Sequence, residues 1–364
     1  MMQPSTHPLR HLEPREAGNT PQTRTIPREV RAAVLLNAHA KRVNDRVRAE
    51  LASVLPAEDI FFAENLADAR SQAECVLHRR YDAVLVGGGD GTLTTTMNLL
   101  LDALDSTAKG GTRHALPDIG ILPLGTGNGL ANLSKAGHYL RDAGMIAEGL
   151  RPARVPLRLV RDRSSGWRFP FASIGYDAQV LNDYVRVGEG ARSAWGKGLA
   201  KSLPGYLYAI ATRTIPTEMR AKPVTIRVKA RGACSMIDPE TREEVALERS
   251  TVLFEGPARA VLAGTAPFYG FGLCALPFAR RRTDRFHLRV STAPIAHLLG
   301  NLPSMWKGTL RSPHLFDFLC EAVTVETSSP LPLQMAGDAR GETSCLDLDL
   351  CETAFRLLSG SAAS

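Results

Sequence analysis

An α/β domain followed by a β-rich domain is the fold class that this 364-residue sequence predicts. Up to about Leu150, short apolar runs alternate with segments of helical period, the mark of a parallel, doubly wound sheet. Two of those runs end in glycine-rich turns, one at Gly87–Gly91 and one at Gly125–Gly129. Beyond Pro156, short strand-like runs are separated by glycine, proline and charged residues.

Order begins at Arg31–Asn37, a short apolar strand ending in a polar residue. A helical stretch over Arg42–Leu55 and a strand at Asp59–Phe62 follow. Ala69, Ala73, Val76 and Leu77 share one face of a helix over Ala67–Arg79. Asp82–Val86 reads as a buried strand whose glycine turn leads into a helix from Leu93 to Leu104. Ile119 opens the second strand-to-turn unit. In the second half, strands are expected at Val155–Asp162, Trp167–Ile174, Val224–Ala230, Ser250–Leu253, Ala258–Ala263, Phe286–Ser291 and Ala322–Thr327. A helical interlude runs from Ala191 to Thr214. On the residues alone this half is a sandwich or an open barrel.

The composition break at Arg151–Pro156 sets the expected boundary. Residues 1–28, poor in apolar side chains, read as a disordered extension. Residues 29–155 form the α/β domain, 156–342 the β-rich domain, and 343–364 return to the first. A hydrophobic content of 44% supports two cores without disulfides, and six cysteines without C-x-x-C spacing read as reduced thiols in a cytoplasmic protein. No stretch approaches the ~20 apolar residues of a membrane span. The net charge of +7 is spread along the chain without a nucleic-acid-binding pattern, so nucleic acid is not an expected partner.

The turns carry the chemistry. Gly87, Gly88, Gly89 and Gly91 free main-chain amides to converge on a phosphate at a helix N-terminus, where a Cβ would block the approach. No Walker lysine follows, and the dinucleotide fingerprint is absent. Asp90 inside such a loop makes sense if a metal neutralises the phosphates or if the acid activates a hydroxyl. Thr92 and Thr126 can donate to phosphate oxygens, and Asn128 can orient the second loop with Gly125 and Gly127. Nucleotide-dependent phosphoryl transfer is the chemistry this pattern suits.

Taken with Gly88–Thr92, Leu122–Asn128, Gly175–Ala178, Tyr269–Gly272, Pro277–Ala279 and Met335–Asp338, the chain resembles the diacylglycerol kinase catalytic superfamily, soluble bacterial lipid kinases related to sphingosine kinases. The resemblance runs from Ala32 to Phe355. It implies an α/β nucleotide-binding domain, a C-terminal β-sandwich, and ATP with Mg²⁺ in the cleft between them. It also implies γ-phosphoryl transfer to a hydroxyl of diacylglycerol or a related lipid. Gly88 through Thr94, including Leu93, would line the ATP phosphates, with Asn37, Thr126 and Asn128 completing the site. Ala336, Gly337 and Asp338 fall on the family's Asp-Gly-Glu, so Asp338 is the expected general base and Asp90 its catalytic companion. A structural Mg²⁺ would sit on Asp284 with the carbonyls of Arg281 and Phe286. Ala63 and Thr94–Thr95 depart from the family's polar residues. A lipid acceptor implies peripheral contact at the inner membrane face, for which the segment Ala191–Tyr208, mixing Trp, Tyr, Leu and Lys, is the candidate. A homodimer is compatible with the family. The alternatives are a kinase of a soluble acceptor such as NAD, and an inactive lipid- or nucleotide-binding protein.

Overall fold

The computed structural model describes residues 30–109, 114–150, 152–190, 212, 215–248 and 251–360. The N-terminal extension and the expected interfacial segment lie outside the described residues, as does nearly all of the helical interlude.

The first half is β1 (Ala32–Asn37), α1 (Asp45–Ala52), β2 (Ile60–Ala63), α2 (Leu66–His78), β3 (Ala83–Gly88), α3 (Asp90–Lys109), β4 (Asp118–Pro123), α4 (Gly129–Ser134) and α5 (Tyr139–Ala147). Its strands are parallel in the order β4-β3-β1-β2. They are apolar along their length because both faces are covered. Val47, Leu51, Ala143 and Ile146 of α1 and α5 pack on one face. Ala73, Val76, Leu77, Met97 and Leu100 of α2 and α3 pack on the other. Asparagine side chains cap α1 and α2: Asn44 Oδ1 accepts from Val47 N at 3.0 Å and Asn65 Oδ1 from Asp68 N at 2.9 Å.

The second half follows as β5 (Arg154–Asp162), β6 (Arg168–Phe169), β7 (Phe171–Gly175), α6 (Tyr176–Gly190), α7 (Ile215–Arg220), β8 (Val224–Ala230), β9 (Cys234–Ile237) and β10 (Glu244–Leu247). After these come β11 (Val252–Ala258), β12 (Ala260–Gly264), β13 (Phe286–Ser291), α8 (Ile295–Gly300), α9 (Leu302–Trp306), β14 (Leu315–Cys320), β15 (Ala322–Met335) and β16 (Asp338–Leu358). These strands pair antiparallel and close on a second core that includes Phe169, Ile174, Val228, Leu288, Phe318 and Leu348. The two halves share one hydrogen-bonded path, because β16 reaches β4 and pairs parallel at Leu357↔Ile119.

Several strands differ from the sequence expectation. Trp167–Ile174 is broken at Pro170, which has no N–H to give to a ladder. Here the Pro170 carbonyl instead accepts from Thr265 N and Ala266 N. The strand expected at Ala322–Thr327 continues to Met335, and β9, β10, β14 and β16 were not anticipated.

A two-residue turn, Ala336–Gly337, joins β15 to β16 across the pair Met335↔Asp338. Both residues have positive φ, 53° and 83°, as tight hairpins of the I′ type require. Alanine is strained there. Ala336→Gly is expected to raise stability by roughly 1 kcal/mol in urea melts, the cost of holding a Cβ in the left-handed region.

Candidate active site

Three loops meet at the carboxyl ends of β3 and β4, the position at which open parallel sheets bind ligands. The first turn of α3 starts at Asp90, three residues before the sequence suggested, so Gly91 and Thr92 already lie within it. The amides of a first helical turn have no intrahelical partner and carry the positive end of the dipole. Asn37 at the end of β1 steadies this turn, its Nδ2 donating to Thr92 Oγ1 at 2.8 Å.

Backbone lies directly on backbone between the first two loops. Gly125 N donates to Gly88 O at 2.9 Å, and a Cβ on Gly125 would fall 2.3 Å from Gly89 Cα. The third loop, Tyr269–Gly272, closes on the second: Phe271 N donates to Gly127 O at 2.9 Å. Added on Gly129, a Cβ would meet the Phe268 and Tyr269 carbonyl oxygens at 2.7 and 2.8 Å. Close approach, rather than unusual φ, therefore explains the glycines of both phosphate-type loops; the left-handed residue there is Asn128, at φ 48°. Asn128 Nδ2 bonds Gly125 O at 3.1 Å, holding the second loop's bend.

These loops wall a cleft of about 900 Å³. Gly89, Asp90, Gly91, Thr92, Gly125, Thr126, Gly127 and Asn37 line it from the first half, and Asp338 lines it from the β15–β16 turn. The Asp338 carboxylate lies against the α3 turn, for a Cβ on Gly91 would sit 2.6 Å from its Oδ1. Its side chain is half exposed. Partial burial pushes its pKa above the usual carboxylate value, and Arg340 opposes that shift.

Four expectations meet a local setting that the sequence did not show. Asp90 faces the cleft, yet Oδ2 accepts from Gly129 N at 2.7 Å and Oδ1 from Leu130 N at 2.9 Å. Both oxygens thus cap α4 and tie one glycine loop to the other. Burial raises its pKa, the two amides counter it, and Asp338 adds to the rise. Asp90→Ala is expected to cost about 2–4 kcal/mol in thermal or urea unfolding, since two buried amides lose their acceptor.

Leu93 and Thr94 do not line the cleft: both point into the interior, Leu93 within the main core, and Leu93 N bonds Gly89 O. Gly87 and Gly88 likewise serve packing, against Leu36 and Thr92. The expected Mg²⁺ loop does not fit a metal. Arg282 holds both Asp284 oxygens, at 2.8 and 2.9 Å, and keeps that carboxyl down at about 2. Arg281 adds a second guanidinium on the same loop, its Nη1 donating to the Arg242 carbonyl. Among the described residues, no group of three or more His, Cys, Asp or Glu could hold a metal ion.

The cleft also contains residues that the sequence reading did not assign to it. Lys41 follows β1 and brings a positive charge to the loops. Asp177, at the start of α6, accepts from Ser173 Oγ. Gln334 Nε2 donates to Ser173 Oγ at 3.0 Å and its Oε1 accepts from Gly337 N at 2.9 Å, so this polar floor supports the turn bearing Asp338. Burial raises the pKa of Asp177, opposed by its hydrogen bonds from Ser173 Oγ and from Gln334 Nε2, the latter at 3.4 Å. Leu181, Phe271, Leu273 and Trp306 form an apolar wall. The motif Gly175–Ala178 was the one signal available for Asp177. Ser173 and Gln334 left none, being set by strand pairing across 161 residues.

Residues 31–155 match the family model of the diacylglycerol kinase catalytic domain. Among solved structures, a candidate diacylglycerol kinase from Bacillus anthracis str. Sterne is 17% identical, with a TM-score of 0.62 over 92% of this chain and 99% of that one. A structure of a diacylglycerol kinase from the same organism is 14% identical, with a TM-score of 0.56 over 92% and 98% of the two chains. At these identities the likeness is one of fold. Among the described residues no helix is long and apolar enough to cross a membrane.

Proposed function

We propose that this chain, whose residues 31–155 carry the diacylglycerol kinase catalytic domain, is an ATP-dependent kinase of a lipid hydroxyl. The observation that carries this reading is the single cleft in which two glycine loops, an Asp338 carboxylate and an apolar wall face one another. Phosphoryl transfer asks little covalent chemistry of a protein; positioning and charge compensation supply most of the rate.

The first turn of α3 and the Thr126 loop bind the polyphosphate of the nucleotide through amides and hydroxyls, and Lys41 adds positive charge. Mg²⁺ carried in with ATP would supply further charge neutralisation for the phosphates. Because both Asp90 oxygens are engaged by amides, that acid stiffens the cradle and does not act on the proton. Asp338 takes the proton of the acceptor hydroxyl at the Gly91 end of the cleft. The Asp177–Ser173–Gln334 floor orients polar groups next to that hydroxyl. Leu181, Phe271, Leu273 and Trp306 receive the adjoining apolar part of the acceptor. That wall favours a lipid over NAD, which would present a second polar nucleoside there.

The test is transfer from γ-labelled ATP to diacylglycerol, a sphingoid base, a ceramide and NAD, offered side by side. Label in the organic extract with one of the lipids is the expected result. Label in NAD alone would replace the lipid by a soluble acceptor, and nucleotide binding without transfer to any acceptor would leave a non-catalytic protein.

A further inference from the structure

Two residues beyond the catalytic turn, β16 carries Arg340 on the same side as Asp338, since strand side chains alternate with period two. Its guanidinium lies over the Trp167 ring, 4.4 Å from the centroid, while Nη2 stands 3.9 Å from Asp338 Oδ2. A planar cation stacked on an indole loses much of the freedom of a long surface side chain. The charge is therefore held at a fixed place beside the carboxylate by a residue distant in sequence.

The other charged and titratable groups around Asp338 make that place matter. Asp90 faces it across the first turn of α3 and adds negative charge. His39 and Glu64 border the smaller cavity of about 300 Å³ that Asp338 shares with Gly91 and Thr92. Lys41 and Asp177 lie along the main cleft. A carboxylate partly withdrawn from water next to a second carboxylate tends to keep its proton, and a protonated acid cannot act as a base.

We propose that Arg340, seated on Trp167, is a positioning residue that holds the Asp338 carboxylate in its basic form against the Gly91 turn. The proposal rests on the reading of Asp338 as the base, and Asp338→Ala tests that reading separately.

The experiment is the pH profile of kcat for the full chain, its Arg340→Gln, Arg340→Lys and Trp167→Ala variants, with Asp338→Ala as control. Opposite charges about 4 Å apart at a half-exposed site are worth roughly 0.5–1 pH unit after solvent screening. Arg340→Gln is expected to move the acid limb upward by about that much. The high-pH plateau should stay within about threefold, because the residue acts only on the protonation of the base. Arg340→Lys restores part of the shift, and Trp167→Ala shifts the limb in the same direction by less. An Arg340→Gln acid limb that overlays the parent, whatever its plateau, overturns the proposal; so does a limb that moves equally in Arg340→Lys and Arg340→Gln. Should Arg340→Gln fold poorly, the Lys and Trp167 variants carry the same decision. Undiminished turnover in Asp338→Ala would instead remove the base assignment itself.

Discussion

If Asp338 is the base proposed, Asp338→Ala is expected to lower kcat by about 10²–10⁴-fold, the usual contribution of a positioned general base, while the folding midpoint stays almost unchanged. The separation of the two effects follows from the setting of the side chain. It is half exposed and its ion pair with Arg340 spans 3.9 Å, so little folding energy depends on it. The sign of its pH linkage agrees. A carboxyl whose folded pKa is raised favours the folded state below its ordinary pKa, and that contribution disappears as pH rises through the folded value. At neutral pH the alanine variant therefore loses no stabilising charge. Turnover in the parent should climb with pH through a pKa above the ordinary carboxylate range. Single-turnover rates with saturating ATP, together with a urea melt of each protein, measure both halves of the prediction. A variant that keeps its full rate removes Asp338 from the chemistry.

Gly125→Ala is expected to damage the enzyme in a different way. Its Cβ would lie 2.3 Å from Gly89 Cα and 2.6 Å from Gly89 N, main-chain atoms that cannot swing aside. The two loops must separate, which loses the bond from Gly125 N to Gly88 O and disturbs the Asp90 cap on α4. Misplacement by about 1 Å of the amides proposed to hold the phosphates is expected to cost on the order of 10²-fold in rate. Overpacking of this kind adds about 1–3 kcal/mol of destabilisation. Titration of a fluorescent ATP analogue should show weaker binding, and thermal melts a lower midpoint. Unaltered nucleotide affinity would mean that the loops do not grip the phosphates together.

Much of the first half was legible because its strands are apolar on both faces and its helices show one clear buried stripe. β13 was also legible, since all six of its residues, Phe286–Ser291, are buried. β16 was not: its first half is charged, polar and largely exposed, so no alternation marked it until Leu346 and Leu348. The start of α3 was misplaced because Gly-Asp-Gly reads locally as a turn, whereas contact with the second loop winds it into the helix. A carboxylate in a glycine loop suggests a metal or a hydroxyl, and no local pattern showed the amides 39 and 40 residues away that Asp90 also accepts from. The paired loops, Asn37, Thr92, Thr126 and Asp338 could be found from motifs. The Asp177 floor depends on strand registers that no local pattern encodes.

The length of β16 has one last consequence. Its first residue faces the Gly91 turn, and near its other end Arg356 and Leu357 are fastened to Asp118 and Ile119 of the opposite half. Both ends of the strand are thus held against the first half, at the Gly91 turn and at the edge of β4, while its length between them pairs with β15 and β5 of the second.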